Sequence, residues 1–402
     1  MDRAKNPFAP GAGTQPPELT GRDNNLEQAR IILQRILARK PSRSALLVGL
    51  RGVGKTVLLN RIKKLAEETG YETILIESPE ERRLAEQLVA PLRKILISLD
   101  KRAQTQAKIA SAVGALRSFA SAFNVRIGEI SIKVNPDEGV ADSGNLEQDL
   151  TDLLTALGEA AEEAGTGVAI FIDELQYVAE TELSALLAAI HRVGQMNLPL
   201  VIFGAGLPQL VGLTGEAKSY AERLFEFWDI GKLSEADAKR AINDPVVREG
   251  ESIEHEALNE IVRATEGYPY FLQEWGQHAW NIADCSPITS SDVHDATTNS
   301  VEVLDRGFFK VRFDRLTPLE KEYLRAMAEL GPGPHRSGDI ANIMKRPVEQ
   351  VAPTRSNIIG KGMIYAPSHG DTAFTVPKFD EYMRRVMPDF IPTPVKKRNS
   401  HT

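Results

Sequence analysis

Gly49-Leu50-Arg51-Gly52-Val53-Gly54-Lys55-Thr56 is a glycine-rich turn near the start of this 402-residue chain. It has the spacing G-x-x-x-x-G-K-[ST], and it separates a short apolar strand predicted at 45–48 from a helix predicted over 57–69. Glycines in such a turn let backbone N–H groups curl around phosphate oxygens, while the positive end of the following helix faces the same charge. The stretch therefore predicts a phosphate-binding loop between a strand and a helix.

Two polar side chains of this loop, and two at the end of a later strand, have predicted roles. Lys55 would reach the β- and γ-phosphates of a nucleotide, and Thr56 would give its hydroxyl to Mg²⁺. The apolar run 168–172 ends in Asp173-Glu174. Asp173 is predicted to hold Mg²⁺ through its water shell, and Glu174 to orient and deprotonate an attacking water. Taken alone, the acidic pair also fits a solvated helix start after a buried strand.

Strands and helices alternate along the first part of the chain. Strands are predicted at 45–48, 73–77, 168–172, 200–203 and 227–230, with helical patterns between them. Such alternation is typical of a parallel sheet covered on both faces, so the predicted class is α/β. A helix at 107–123 and a hairpin over 125–134 are predicted as an insertion, and residues 233–300 are predicted to be helical without strands.

Composition narrows the class of protein. Hydrophobic residues at 42% and charged residues at 26% exclude a disordered chain and a fibrous repeat. The single cysteine, Cys285, argues against a disulfide-bonded secreted protein and against a thiolate metal site. No apolar run reaches the ~20 residues that a membrane helix needs. We therefore expect a cytoplasmic protein with no membrane partner.

Four stretches together resemble AAA+ ATPases, and more narrowly the initiator or origin-recognition type with its bacterial and archaeal relatives. Two are the glycine-rich loop and the strand ending in Asp173-Glu174; the others are Pro17-Glu18-Leu19-Thr20-Gly21-Arg22-Asp23 and Gly267-Tyr268-Pro269-Tyr270-Phe271-Leu272-Gln273. The resemblance covers residue 17 to about residue 300. It implies a P-loop NTPase with a three-layer core, a five-stranded parallel sheet in the order 5-1-4-3-2, a helical lid, and hydrolysis of ATP with Mg²⁺.

The resemblance also implies which residues bind nucleotide. Gly49 to Thr56 and Val57 would hold the phosphates, Arg22 lies in the segment that passes the adenine, and Tyr268 and Pro269 begin the lid helix that closes over the nucleotide. Two departures concern sensing of the γ-phosphate. The strand at 200–203 ends in Gly204-Ala205-Gly206 where the family usually has a polar residue such as Asn, and Tyr270 stands where many relatives carry an Arg.

Arg223 has two interpretations. It falls just before the last predicted strand, where the resemblance places an Arg that acts across a subunit boundary and so implies self-association. A guanidinium supplied in this way stabilises charge on the transferred phosphate. The alternative is an Arg on a helix surface paired with a carboxylate.

The region 316–390 resembles a winged helix-turn-helix domain. Thr317 and Pro318 begin a helix, two further helices are predicted at 337–344 and 348–359, and strands at 363–365 and 373–376 flank a turn at 368–371. Arg346, Arg355, Lys361 and His369 would contact the phosphates of double-stranded DNA from the third helix and the wing. A winged helix is also a protein-docking module, so both partners stay open.

Charge and segment boundaries complete the prediction. The net charge is −7, but residues 331–402 carry 11 Lys and Arg against 6 Asp and Glu. The predicted segments are a flexible arm at 1–17, a nucleotide-binding α/β domain at 18–232, a helical lid at 233–300, a winged-helix domain at 301–390 and a basic tail at 391–402. The tail's Lys396-Lys397-Arg398 is either a solvated segment or an auxiliary contact to a DNA backbone.

The leading functional hypothesis is an ATP-hydrolysing switch whose nucleotide state acts on a DNA-contacting winged helix. The rival is a signalling or scaffold switch in which ATP gates protein assembly through the same domain. A third is a degenerate ATPase that binds ATP and never hydrolyses it.

Overall fold

The computed structural model describes residues 1–11, 13–78, 83–103, 107–125 and 140–392. The chain divides into two compact units. The α/β unit consists of Gly21–Gly49 and Gly54–Ile230, and the C-terminal unit consists of Met1–Thr20, Leu50–Val53 and Gly231–Thr402. The hairpin predicted from residue 125 and the basic residues of the tail lie outside the described residues.

The α/β unit is built on a parallel sheet of five strands. They are β1 (Ser44–Val48), β2 (Glu72–Glu77), β3 (Val168–Asp173), β4 (Leu200–Gly206) and β5 (Phe225–Asp229). Their order across the sheet is β2-β3-β4-β1-β5, which confirms the order implied by the resemblance. Every residue of β1, β3 and β4 is buried, as expected for strands covered on both faces.

Helices cover the sheet, and the first six of them follow the sequence pattern. They are α1 (Asp23–Leu37), α2 (Lys55–Glu68), α3 (Leu84–Asp100), α4 (Ala107–Ala122), α5 (Leu146–Glu163), α6 (Glu180–Gln195), α7 (Leu210–Ala217) and α8 (Ala221–Leu224). Aliphatic side chains of α3 to α6 and of the strands form one continuous apolar core. This core fixes the carboxyl ends of β1, β3 and β4, from which the predicted site residues emerge.

The C-terminal unit is largely helical, with three short strands near its end. Its helices are α9 (Glu235–Arg248), α10 (His255–Thr265), α11 (Pro269–Ile282), α12 (Ser290–Leu304), α13 (Lys310–Asp314), α14 (Pro318–Glu329), α15 (Ser337–Ile343), α16 (Val348–Gly360) and α17 (Phe379–Val386). Its strands, β6 (His335–Arg336), β7 (Ile364–Tyr365) and β8 (Asp371–Phe374), form an antiparallel sheet in the order β6-β8-β7. Thr317 caps α14 by accepting a hydrogen bond from the Glu320 N–H, as its sequence predicts.

The N-terminal segment differs from the flexible arm expected of residues 1–17. Phe8 is only 2% exposed and lies against Gly276 of α11, where an added Cβ would come within 2.8 Å of the ring. Asn6 donates from Nδ2 to the Asn281 side chain at 2.9 Å, and the Trp280 indole donates to the Asp2 carbonyl at 2.8 Å. One aromatic side chain and the small surface at Gly276 give this polar, proline-rich stretch a packing site that composition does not reveal.

No helix within the described ranges is both long enough and apolar enough to cross a membrane.

Close packing at the start of β3 predicts a destabilising substitution. A Cβ at Gly167 would lie 2.3 Å from the ring of Tyr71, which is 4% exposed and held by a hydrogen bond from its hydroxyl to the Leu33 carbonyl. Because this ring cannot move aside, Gly167→Ala should lower the free energy of unfolding by about 1–3 kcal/mol. Urea denaturation measures the change.

The matched control is Gly194→Ala in α6, where an added Cβ meets nothing within 4 Å. This variant should be neutral or stabilising by up to ~1 kcal/mol. Equal stability of Gly167→Ala and the wild type would contradict the packing described for Tyr71.

Candidate nucleotide site

Backbone hydrogen bonds hold the entry to the glycine-rich loop between two neighbouring strands. The Gly49 N–H donates to the Gly206 carbonyl at 3.2 Å, and the Val48 carbonyl accepts from the Ile230 N–H at 2.7 Å. The loop therefore leaves β1 at a position set by the ends of β4 and β5. A shift of either strand would move the loop with it.

Glycine conformation shapes the loop and the start of α2. Gly52 and Gly54 have φ values of 81° and 90°, in the left-handed region that glycine adopts without a steric penalty. Gly54 is the N-cap of α2, and it has no side chain that could accept from the first N–H groups of the helix. Those donors, together with the positive end of the helix dipole, suit an anionic ligand.

Lys55 opens α2 and is 8% exposed. Its ammonium donates to the Gly49 carbonyl at 2.9 Å, so the side chain folds back over its own loop. A buried ammonium needs partners of this kind, because its charge is poorly solvated. Phosphate oxygens would be stronger acceptors than a carbonyl oxygen is.

Asp173, at the end of β3, is brought next to the loop. The Thr56 hydroxyl donates to Asp173 Oδ2 at 2.6 Å, and the Glu174 N–H donates to Oδ1 at 2.8 Å. Burial raises the pKa of the Asp173 carboxyl and the nearby Glu174 charge raises it further, while these two hydrogen bonds and Lys55 act in the opposite direction. The carboxylate form is thus costly without a cation, and its oxygens with the Thr56 hydroxyl form a donor set suited to Mg²⁺.

Glu174 follows in a strained turn. Its φ of 53° is in the left-handed region, where a residue with a Cβ rarely lies. The turn leads from β3 into a 3₁₀ helix, Leu175–Tyr177, and its Gln176 donates a side-chain hydrogen bond to the Glu174 carboxylate. Sequence reasoning missed Gln176. An amide two residues beyond an acidic pair is visible in the sequence, but nothing there tells which way it points.

The end of β4 has no side chain available for sensing phosphate, as the sequence indicated. A Cβ at Gly204 would lie 2.5 Å from Leu46 Cδ2 and 3.0 Å from Leu175 Cδ2. Both leucines are buried. A polar residue such as Asn does not fit at Gly204 without moving the core.

The tip of the glycine-rich loop, residues 50–53, belongs to the C-terminal unit, as do Tyr268 and Pro269 at the start of α11. The Tyr270 N–H donates to the Gly52 carbonyl at 3.1 Å, and the Arg51 N–H donates to the Thr375 carbonyl at 3.0 Å. A Cβ at Gly52 would approach Tyr270 Cβ to 3.2 Å. The Tyr270 ring stacks on Phe308 with centroids 4.8 Å apart, so this position is aromatic and packed where many relatives carry a charged residue.

Three further predicted nucleotide or subunit contacts belong to the α/β unit. Arg22 is the N-cap of α1 and is 8% exposed, and Val57 lies in the first turn of α2. Arg223 is on α8 and is exposed. Within the described ranges its guanidinium has no carboxylate partner, so the pairing considered as its alternative role does not occur there.

Three basic side chains predicted to contact DNA are engaged inside the C-terminal unit. Arg355 donates to Thr372 Oγ1 and to the Asp371 carbonyl, both at 2.8 Å. Lys361 pairs with Glu320 at 2.6 Å, and Arg346 lies 3.8 Å from Glu322. His369 is exposed in the turn before β8. The first three therefore stabilise the unit's own structure.

Comparison with known proteins supports an AAA+ ATPase. Residues 18–203 match the family model described as an AAA ATPase domain, and residues 306–383 match a domain of unknown function (DUF8462). The Walker-type ATPase PABY2304 of Pyrococcus abyssi is 18% identical with a TM-score of 0.60, over 92% of this chain and 97% of that one. The chain thus has the P-loop AAA+ fold. No curated protein sequence matches the chain.

Two further solved structures align over most of the chain. Cdc6p from Pyrobaculum aerophilum is 13% identical, with a TM-score of 0.44 over 96% of this chain and 98% of that one. The Holliday junction branch migration motor RuvB of Thermotoga maritima is 14% identical, with a TM-score of 0.43 over 92% of this chain and 96% of that one. At such TM-scores neither alignment bears on function.

The raised pKa of Asp173 predicts how stability depends on pH. Folding makes this carboxyl harder to ionise. Its contribution to the free energy of unfolding is therefore fully present below the pKa of the unfolded chain, and it is lost as the pH rises through the raised pKa of the folded state. Asn does not ionise, so Asp173→Asn should not lose stability over this pH range. Without magnesium, the variant should be at least as stable as the wild type at pH 7, and its relative stability should be lower at pH 4, as measured by urea denaturation.

Asp284→Asn, at an exposed position, is the control and should leave this pH dependence unchanged. With magnesium and nucleotide present, we expect the wild type to gain thermal stability and Asp173→Asn to gain less. A strong destabilisation of metal-free Asp173→Asn at pH 7 would contradict the unfavourable burial of this carboxylate.

Proposed function

We propose that this chain is an ATP-binding, Mg²⁺-dependent ATPase that works as a nucleotide-gated switch. The observation that carries the proposal is the 2.6 Å hydrogen bond between Thr56 and Asp173, beside the buried ammonium of Lys55. Residues 117 positions apart in the chain, one from the loop and one from a separate strand, meet where a phosphate and its metal would be held. The AAA ATPase domain match supports ATP as the nucleotide.

Each site residue has a defined role in this proposal. Lys55 and the first N–H groups of α2 bind the β- and γ-phosphates, and Lys55 exchanges the Gly49 carbonyl for phosphate oxygens. Thr56 and Asp173 hold Mg²⁺, which neutralises charge on the phosphates when bound. Glu174 accepts the proton of the attacking water.

Arg223 is proposed to act in a neighbouring copy of the chain. Its exposure, and the lack of a carboxylate partner within the described ranges, leave the guanidinium available to stabilise charge on a γ-phosphate bound by another subunit. Arg22, Tyr268 and Pro269 are proposed nucleotide contacts on the basis of the resemblance. We also propose a cytoplasmic location, because a single cysteine cannot form a disulfide within the chain and so suits a reducing compartment.

Coupling to the C-terminal unit is proposed to run through the loop tip. The Arg51 N–H is bonded to the Thr375 carbonyl, next to β8, and the Gly52 carbonyl to the Tyr270 N–H in α11. Closing the loop around phosphate would shift these bonds, and with them the end of β8 and the start of α11. The nucleotide state would be transmitted in this way.

We further propose that residues 316–390 are a winged helix that contacts double-stranded DNA. Three helices with a short antiparallel sheet, whose first strand lies between the first and second helices, support this proposal. An excess of basic residues after residue 330 also supports it. Because Arg346, Arg355 and Lys361 are half-buried and have internal partners, the proposed phosphate contacts move to the exposed Lys345 and to Arg336. The Arg336 side chain is 77% exposed, and its Nε also lies 3.6 Å from Asp371 Oδ1.

A protein partner for the same region is the second candidate. Its support is the exposed face of α16, the helix that would enter a DNA groove. This face carries one acidic residue and neutral residues, and no Lys or Arg: Val348, Glu349, Gln350, Ala352, Pro353, Ser356, Asn357 and Gly360. Such a surface suits contact with protein better than contact with phosphate.

Substitution of Lys55 tests the nucleotide site. Lys55→Ala should weaken ATP binding at least ~100-fold, because a buried charge-assisted contact to phosphate is lost. Lys64→Ala, an exposed lysine of the same helix, is the matched control and should bind ATP as the wild type does. Isothermal titration calorimetry with Mg²⁺ and ATP gives both dissociation constants.

Glu174→Gln separates binding, measured by the same calorimetry, from turnover, measured by phosphate release. It should keep ATP affinity within about threefold and lower kcat by at least ~100-fold, because the amide cannot accept a proton. Equal ATP affinity in Lys55→Ala and the wild type would refute the site. If the wild type bound ATP tightly but released no phosphate, the ATPase proposal would be overturned, and the protein would be an ATP-gated switch that does not hydrolyse ATP.

Duplex binding across a salt series tests the C-terminal partner. At ~50 mM salt the wild type should bind a labelled duplex, and the affinity should fall steeply with added salt, as counterion release requires. Arg336→Ala combined with Lys345→Ala should weaken binding and reduce the salt slope by ~2. Ser356→Ala is the neutral control. Absence of a complex at this salt would exclude the DNA proposal and favour protein docking.

A further inference from the structure

We propose that Gln176 is a positioning residue that holds the Glu174 carboxylate for catalysis and connects it to the end of β4. The inference rests on the proposed function, because it concerns the group that would activate water. It stands on contacts within the α/β unit, and it gives a role to a residue that no motif assigned. It also explains how this chain works with a β4 end that lacks a polar side chain.

Both ends of the Gln176 amide are engaged, and the residue is 8% exposed. Nε2 donates to Glu174 Oε2, and Oε1 accepts from the Leu207 N–H at 3.0 Å. This orientation is required by the partners. A backbone N–H can only donate and an ionised carboxylate can only accept, so the oxygen must face Leu207 and the NH₂ group must face Glu174.

Hydrogen bonds fix the backbone of Glu174 on both sides of the residue. The Glu174 N–H donates to Asp173 Oδ1, and its carbonyl accepts from the Tyr177 N–H at 3.0 Å. With φ at 53°, the chain turns sharply at this residue. The hydrogen bond from Gln176 acts on the Glu174 side chain and helps to orient the carboxylate.

Glycine at position 206 makes room for this bridge. An added Cβ there would lie 2.8 Å from Gln176 Oε1 and 2.8 Å from Leu210 Cδ2. The Gly206 carbonyl accepts a hydrogen bond from the Gly49 N–H at 3.2 Å. Gly49 is the first residue of the phosphate-binding loop. A continuous series of contacts thus runs from Gly49 through Gly206, Leu207 and Gln176 to Glu174.

This series of contacts connects the phosphate-binding loop to Glu174, a connection that no side chain at Gly204 provides. Gly204 is surrounded by leucine side chains, so no polar side chain of the strand can reach the site from that position. Gln176 instead brings an amide to the backbone of the strand end. A movement of the loop entry on binding phosphate would reach the Glu174 carboxylate through Leu207.

Gln176→Glu is the most informative change, because it preserves size and the acceptor for the Leu207 N–H while removing the donor to Glu174. ATP affinity should stay within about threefold, and kcat should fall by ~10–100-fold, since a misplaced catalytic group costs roughly this much. Gln195→Glu, at the exposed end of α6, is the matched control and should keep the wild-type kcat. Phosphate release and calorimetry on the full chain give the two quantities.

An exchanged pair tests the hydrogen bond without relying on hydrolysis. In Glu174→Gln combined with Gln176→Glu, residue 174 becomes the donor and residue 176 the acceptor, so the bond is restored in reverse. The double variant should melt at a higher temperature than Gln176→Glu alone. If position 176 acts only through Glu174, Gln176→Glu should also cause no further loss of the residual single-turnover rate in the Glu174→Gln background.

The outcomes separate this inference from the proposed function. A wild type that hydrolyses ATP together with an unchanged kcat in Gln176→Glu would overturn the inference and leave the ATPase standing. A loss of ATP affinity parallel to the loss of kcat would also overturn it, since it would show general damage. A wild type that turns over no ATP would overturn the ATPase and the catalytic role together, while the melting temperature of the exchanged pair would still report on the hydrogen bond.

Discussion

The parallel pairing of β1 between β4 and β5 is the constraint on which the rest of the α/β unit depends. Parallel strands end at the same edge of a sheet, so the loop after β1, the acid at the end of β3 and the carbonyl of Gly206 are brought together there. Hydrogen bonds from Gly49 to Gly206 and from Ile230 to Val48 hold that edge in register. The positions of Lys55, Thr56, Asp173 and Glu174 follow from this arrangement.

Buried charge at this edge has a cost that the protein itself offsets only in part. Lys55 and Asp173 are both nearly inaccessible. Lys55 donates to a carbonyl, and Asp173 accepts from a hydroxyl and an N–H and is also stabilised by the Lys55 charge. Neutral partners compensate a buried charge less well than an opposite charge does. A phosphate near Lys55 and a cation near Asp173 would add further opposite charge, so we expect ligand binding to stabilise this edge.

Glycines and basic residues illustrate how packing changes the meaning of a residue type. Gly204 is explained by the leucines around it, and Gly206 by the amide of Gln176. Arg355 and Lys361 could be taken for contacts to an external phosphate, yet both stabilise the fold of the C-terminal unit through hydrogen bonds to their neighbours. Exposure and partners, rather than residue type alone, identify the side chains that remain available for a ligand.

Local patterns in the sequence were sufficient for the strands, the loop and the acidic strand end, because each depends on residues a few positions apart. The spacing of Gly49, Gly54 and Lys55 predicts a phosphate loop, and an apolar run before Asp173 predicts a buried strand. The resemblance supplied the strand order. Only the tertiary structure brought Gln176 to Leu207, Phe8 to Gly276 and Arg355 to Thr372. These contacts join residues 17 to 268 positions apart, and no local pattern encodes such a meeting, because it depends on how whole elements pack.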